Sequence, residues 1–189
     1  MQKTKIWEVG VGHLGVCFGA LVWDKPDYEI TMFEPHPKYY KEVLAAAAGR
    51  KNVTFHNVAI GDFDGQIELN EDETSSFISG TDSCVKQYAK NNVRADKERD
   101  RILVDIRKIS NYDPGDIDYL RIDTEGHEWF TLKHLISRPK TIHIETHEHD
   151  AIYINPYLYE IEEWMQKNNY NKVQVDHADS TYQRIEKAK

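Results

Sequence analysis

The chain has 189 residues, 40% hydrophobic and 30% charged, with four Trp and eleven Tyr, enough apolar material to close one domain around a full core. Its formal net charge of −8 argues against a nucleic-acid or anionic-membrane partner. Two cysteines, Cys17 and Cys84, without a CxxC spacing indicate neither a disulfide framework nor a zinc–thiolate site.

The longest apolar stretch, Gly15 to Trp23, is too short to span a bilayer. The amino terminus lacks the apolar core and small-residue cleavage site of a signal peptide, so the expected address is cytoplasmic. The first strand is expected at Lys5 to Val9, running into Gly10-Val11-Gly12-His13-Leu14-Gly15 and then a helix from Val16 to Trp23. Strand, glycine loop and helix open a nucleotide-binding βαβ unit. Gly10 and Gly12 let backbone approach a ligand, and Gly15 is expected to let helix and strand pack closely. A second strand, Ile30 to Phe33, ends at Glu34, 19 residues beyond Gly15, where a carboxylate can accept hydrogen bonds from ribose hydroxyls.

Tyr39 to Ala48 is expected to be helical and stopped by Gly49, Val53 to Ile60 to form a third strand, and Gln66 to Leu69 an added antiparallel one. From Asn70 to Arg101 apolar periodicity dissolves. That segment is read as an insertion over the ligand edge of the sheet, with Lys86, Lys90, Arg94, Lys97, Arg99 and Arg101 either meeting an anionic substrate or lying on a solvated face. Ile102 to Ile106 is a further strand. Tyr119 to Ile122 is another, and it leads directly into Asp123-Thr124-Glu125-Gly126-His127-Glu128.

Crowded carboxylates at the end of a buried strand are costly unless they are used, and that edge is where ligands bind in open α/β sheets. A helix from His127 to Ser137 follows, with Trp129, Leu132 and Ile136 at helical spacing. Then come a strand from Thr141 to Glu145, the loop carrying His147, an amphipathic helix from Tyr157 to Asn168, and closing strands at Val173 to Val175 and Thr181 to Ile185. The alternation predicts a doubly wound, mostly parallel α/β sheet with an antiparallel edge strand. Residues 1–189 form one domain in this reading, with 70–101 as its substrate-side insertion.

The glycine loop with a later acid serves dinucleotide-dependent oxidoreductases and methyltransferases alike. Glu8, directly before the first glycine, favours an amino-acid-bearing cofactor, whose ammonium it can hold, over a pyrophosphate, which it would repel. The combination of Phe33-Glu34-Pro35, Asn57-Val58-Ala59-Ile60-Gly61-Asp62, Ser75-Ser76, Ile122-Asp123-Thr124-Glu125-Gly126-His127-Glu128 and Ile144-Glu145-Thr146-His147 resembles the FkbM family of S-adenosylmethionine-dependent methyltransferases. The resemblance runs from Glu8 to about His147. It implies a Rossmann-like class I fold, S-adenosylmethionine as cofactor, and Glu8, Gly10, Gly12, Glu34 and Asn57 around it.

The expected reaction is O-methylation of a hydroxyl on a small-molecule or carbohydrate acceptor, a sugar or small secondary metabolite. A small NAD(P)-dependent oxidoreductase and a non-catalytic Rossmann-like module are the alternatives. Transfer to a hydroxyl needs a base. His147 is favoured, because histidine titrates near neutral pH, with Asp123 or Glu125 orienting it or sharing the proton; His13 and His127 compete. Glu125 and Glu128 have a second reading, as acids favourably placed in a first helical turn. Asp123, Glu125, Glu145 and His147 could also converge on a divalent ion, whose preference for hard oxygen ligands suits Mg²⁺. Alternate residues of a strand share a face without closing a site, so no metal is assigned.

Overall fold

The computed structural model describes residues 3–14, 17–71, 76–80, 100–150, 153–176 and 178–185. Gly15, Ser75 and the basic residues from Lys86 to Arg99 lie outside the described residues. Seven strands form the main sheet: β1 (Thr4–Val9), β2 (Tyr28–Phe33), β3 (Val53–His56), β8 (Tyr119–Ile122), β9 (Thr141–Glu145), β10 (Tyr170–Val175) and β11 (Asp179–Arg184). Their order is β10-β11-β9-β8-β1-β2-β3. The pairs from β3 through β9 are parallel, and β11 runs antiparallel to both β9 and β10. The doubly wound, mostly parallel sheet is the one expected, with its antiparallel strand one place in from the edge.

Alternation along each strand assigns the two faces. Trp7, Val9, Phe33, Leu120, Ile122, Ile142 and Ile144 join one apolar cluster, closed by Leu132, Ile161 and Met165. Those last three come from the helices α3 (Glu128–Lys133) and α4 (Leu158–Lys167). On the opposite face Ile6, Ile30 and Met32 pack with Cys17, Trp23 and Val43, beside α1 (Phe18–Val22) and α2 (Pro37–Ala46). Each central strand is covered on both sides, which parallel sheets require. Among the described residues no helix is long and apolar enough to cross a membrane.

A second, four-stranded sheet has the order β4-β7-β5-β6, from β4 (Ala59–Ile60), β5 (Gly65–Asn70), β6 (Phe77–Ile78) and β7 (Arg101–Arg107). It corrects one expectation. The predicted strand Val53 to Ile60 is broken in two, because the Asn57 side chain donates to the carbonyls of Glu34 and Pro35 at 2.8 and 2.9 Å. That ties the chain back to β2 and lets Ala59 leave for β7, opposite Ile106. The expected strand Ile102 to Ile106 is present within β7 and pairs in this second sheet.

The helix expected to reach Ser137 stops at Lys133. Asp113 is the reason: its carboxylate accepts from the backbone N–H of Ile136 and Ser137 at 2.8 and 2.7 Å and draws the chain out of the helical path. Ile136 is consequently exposed.

Candidate active site

The site begins with a row of polar residues across the sheet. Strand register sets Glu8 opposite Arg121, Arg121 opposite His143, and His143 opposite Thr181. Arg121 bridges two acids: Nη1 donates to Glu8 Oε1 and Nη2 to Asp123 Oδ2, both at 3.0 Å. Glu8 is fully buried and also accepts from the N–H groups of Phe18 (2.8 Å) and Gly19 (2.7 Å) at the start of α1. Burial raises the Glu8 carboxyl, against the opposing pull of Gly19 N–H and Arg121. An added Cβ on Gly19 would stand 2.5 Å from Met32 Sδ, so Gly19 lets α1 approach β2 closely.

The glycine loop crosses the ends of β1 and β8. Gly10 has φ +82°, and a Cβ there would stand 1.6 Å from the Asp123 carbonyl oxygen, so no other residue fits. Gly12, at φ +63°, donates its N–H to Glu34 Oε2 at 2.7 Å, while His36 N–H holds Oε1 at 2.7 Å. Burial pushes the Glu34 carboxyl up to about 7, although the N–H groups of His36, Gly12 and Val11 pull the other way. Asn57 is exposed, and its amide is spent on the backbone beside Glu34.

The acidic stretch after β8 divides by role. Glu128 is fully buried: Oε1 accepts from Thr124 N–H (2.8 Å), Thr124 Oγ1 (3.0 Å) and Gly126 N–H (3.1 Å), and Oε2 from Asn155 Nδ2. It locks the strand-to-helix turn from beneath. Above it, Asp123, Glu125 and Glu145 converge from the ends of β8 and β9, each offering an oxygen within 4.8 Å of the others.

Burial and the neighbouring carboxylates, Asp123 first among them, hold Glu145 well above the ordinary glutamate range. Burial raises Asp123 as well, against Arg121. His143 pulls Asp179 down. Glu125 and His147 both have left-handed backbone, φ +55° and +50°, a conformation that costs a side-chain-bearing residue free energy and tends to persist at functional sites.

A cavity of about 290 Å³ lies between the sheet edge and the second sheet, near the small end of the ~300–1,000 Å³ common for ligand clefts. Gly10, Gly12 and Glu34 line one side, Arg121, Asp123, Glu125, His127 and Glu145 another. Ile60, Leu69, Ser76 and Ile78 bring the second sheet against it. The structure therefore brings Gly10, Gly12, Glu34, Asp123 and Glu125 together at one cavity. Asn57, at the surface, does not line it, and Glu8 sits behind its wall. So does His147, buried with Nε2 3.1 Å from Glu145 Oε1. His127 faces the cavity, and burial lowers its imidazole to about 4.

Arg121, Asn155 and Gly19 went unread in the sequence. A charged residue inside the apolar strand Tyr-Leu-Arg-Ile was the available signal for Arg121; Asn155 and Gly19 gave none.

The strand order, with β11 turned antiparallel between β9 and β10, and a ligand-sized cavity at the carboxyl ends of β1, β2, β8 and β9 define the class I methyltransferase fold. The chain belongs to the methyltransferase FkbM domain family, whose model matches residues 13–172. Among solved structures it is similar to Aeropyrum pernix fibrillarin in complex with natively bound S-adenosyl-L-methionine, at TM-score 0.51 and 12% identity over 96% of this chain. It spans 66% of that fibrillarin.

Two further similarities are with the Methanococcus jannaschii fibrillarin pre-rRNA processing protein and the precorrin-6y C5,15-methyltransferase of Geobacter metallireducens. The first has TM-score 0.47 and 13% identity over 97% of this chain and 67% of the other. The second has TM-score 0.44 and 13% identity over 97% and 83%. Among curated proteins none matches the sequence.

Proposed function

We propose that this methyltransferase uses S-adenosylmethionine to methylate a hydroxyl on a sugar or other small molecule. One observation carries the reading: a buried Glu34 carboxylate, fixed by Gly12 and His36 N–H groups, faces the acidic wall of Asp123, Glu125 and Glu145 across a single cavity. The cofactor supplies an electrophilic methyl group on a sulfonium.

Its ribose hydroxyls suit Glu34, which has acceptor capacity beyond the two N–H groups it already holds. The backbone at Gly10 and Gly12 permits close approach, and Arg121 offers a guanidinium to an amino-acid carboxylate. Glu8, with its oxygens committed to α1 and Arg121, acts by fixing that arginine. The acceptor hydroxyl is assigned to the acidic wall, where a carboxylate oxygen accepts its proton in a hydrogen bond. His147 touches this wall through Glu145 and is therefore a positioning residue. The net charge of −8 supports a small or carbohydrate acceptor over nucleic acid or a membrane surface.

Calorimetry with S-adenosylhomocysteine tests the reading. Saturable binding that Glu34→Ala weakens at least tenfold is expected. Absence of heat at high micromolar ligand, together with NAD binding, would move the assignment to an oxidoreductase. If neither ligand binds or shifts the melting temperature, the chain is a non-catalytic module.

A further inference from the structure

We propose that Asp123, Glu125 and Glu145 hold one hard divalent cation, Mg²⁺ or Mn²⁺, in the wall of the cavity. The three offer carboxylate oxygens that all lie within 4.8 Å of one another. Oxygens on opposite sides of a cation stand ~4.2 Å apart at the Mg²⁺ distance of ~2.1 Å, and ~4.8 Å apart at ~2.4 Å. Small side-chain rotations thus gather the set around a single ion. All three residues line the cavity, which gives the ion an entry path and leaves its remaining positions to water or an acceptor oxygen.

Charge balance points the same way. The basic side chains on the neighbouring strands already have partners. Arg121 spans Glu8 and Asp123. His143 faces Asp179 at 3.6 Å and Thr181 Oγ1 at 2.9 Å. Arg121 takes one oxygen of Asp123, and a carboxylate has a second. Asp123, Glu125 and Glu145 repel one another at this separation, Asp123 and Glu125 pressing hardest on Glu145, and a divalent cation between them relieves that repulsion.

An independent observation comes from His147. It is only 7% exposed, and neither ring nitrogen has a hydrogen-bond partner. Nε2 nevertheless lies 3.1 Å from Glu145 Oε1, off the line a hydrogen bond needs, and Nδ1 3.4 Å from Asp150 Oδ2. A buried, unsatisfied imidazole aimed at a carboxylate is costly by itself. It makes sense when that carboxylate turns to ligate an ion and the imidazole aligns behind it, as outer-shell partners of metal ligands do. All-oxygen ligation with waters suits Mg²⁺ or Mn²⁺ over softer metals. The site stands without any reading of the reaction. Its consequence, an acceptor hydroxyl that ionises more readily beside the cation, rests on the methyl-transfer reading above.

The test uses the full chain after chelator treatment, titrated with Mn²⁺ and followed by the loss of the free Mn²⁺ electron-paramagnetic signal. Expected are one saturable Mn²⁺ per chain, competition by Mg²⁺, and at least tenfold weaker binding in Glu125→Gln and Glu145→Gln, with His147→Ala also weakened. Glu163→Gln, on the outer side of α4, should leave it unchanged. Should Glu145→Gln fail to fold, Glu125, which is partly exposed in the loop after β8, carries the test. Mn²⁺ that does not saturate on wild-type protein, or binds equally to Glu125→Gln, overturns the site. Calorimetry with S-adenosylhomocysteine on the same samples reads the cofactor separately, so either proposal can fail alone.

Discussion

Gly10→Ala isolates the close crossing of β1 and β8 that builds the floor of the cavity. Two effects add at this position. The left-handed backbone, φ +82°, costs ~1–2 kcal/mol for a side-chain-bearing residue. The new Cβ would also stand 1.6 Å from the Asp123 carbonyl oxygen, roughly 1.4 Å inside the 3.0 Å that real contacts respect. Backbone must yield, and the yielding strains the Asp123 N–H to Val9 O bond of 2.9 Å and the Gly10 N–H to Phe33 O bond of 3.1 Å, at ~1 kcal/mol each.

The total is about 3–4 kcal/mol. For a chain of this size it lowers the melting temperature by about 6–15 °C. Gly49→Ala is the matched control: φ is +86° and nothing lies within 4 Å of its Cβ, so backbone strain alone applies, about 1–2 kcal/mol and a few degrees. Thermal melts of both variants followed by circular dichroism make the comparison. If Gly10→Ala melts within about 2 °C of Gly49→Ala, the crossing at Asp123 is looser than described and the argument for that glycine fails.

Glu34 makes affinity for S-adenosylhomocysteine pH-dependent. Its carboxyl lies near 7 and only the ionised form accepts two-sided hydrogen bonds, so affinity should rise about tenfold from pH 6 to 8 and level off above. In Glu34→Gln the profile should be flat; a wild-type profile without this rise counts against the assignment. The apo protein shows the opposite sign. A folded-state value above the ordinary 4.5 means the native state binds the extra proton, so this group's contribution to stability is full below about pH 4.5 and lost as pH rises through 7. Urea melts of wild type and Glu34→Gln should converge or cross over that window. Glu128→Ala strands the donors of Thr124, Gly126 and Asn155, which costs about 3–5 kcal/mol; a melting temperature within 3 °C of wild type would show that the turn holds without it.

Much of the fold was legible because it rests on local patterns. Tyr119 to Ile122 and Thr141 to Glu145 are the strands their alternation indicated, and β2 ends at Phe33 with Glu34 at its tip. Helix ends were less legible. Asp113 terminates α3 by capturing Ile136 and Ser137 from 23 and 24 residues away, and no helical periodicity encodes so distant an acceptor. Asn57 likewise divides an apparently continuous strand by bonding to a loop more than 20 residues earlier.

Sequence by itself determined the family, the glycine loop and the crowding of acids after β8, because each is a property of neighbouring residues. Only tertiary structure decided how those acids divide the work. Register sets Arg121 beside Glu8, and so turns Glu8 into an internal anchor. Burial beneath Thr124 and Gly126 gives Glu128 the turn, while Asp123 and Glu125 meet Glu145 from another strand and His147 stands behind it. Which side of a wall a side chain faces depends on strand pairing and helix packing across more than a hundred residues, and one-dimensional spacing does not carry that information.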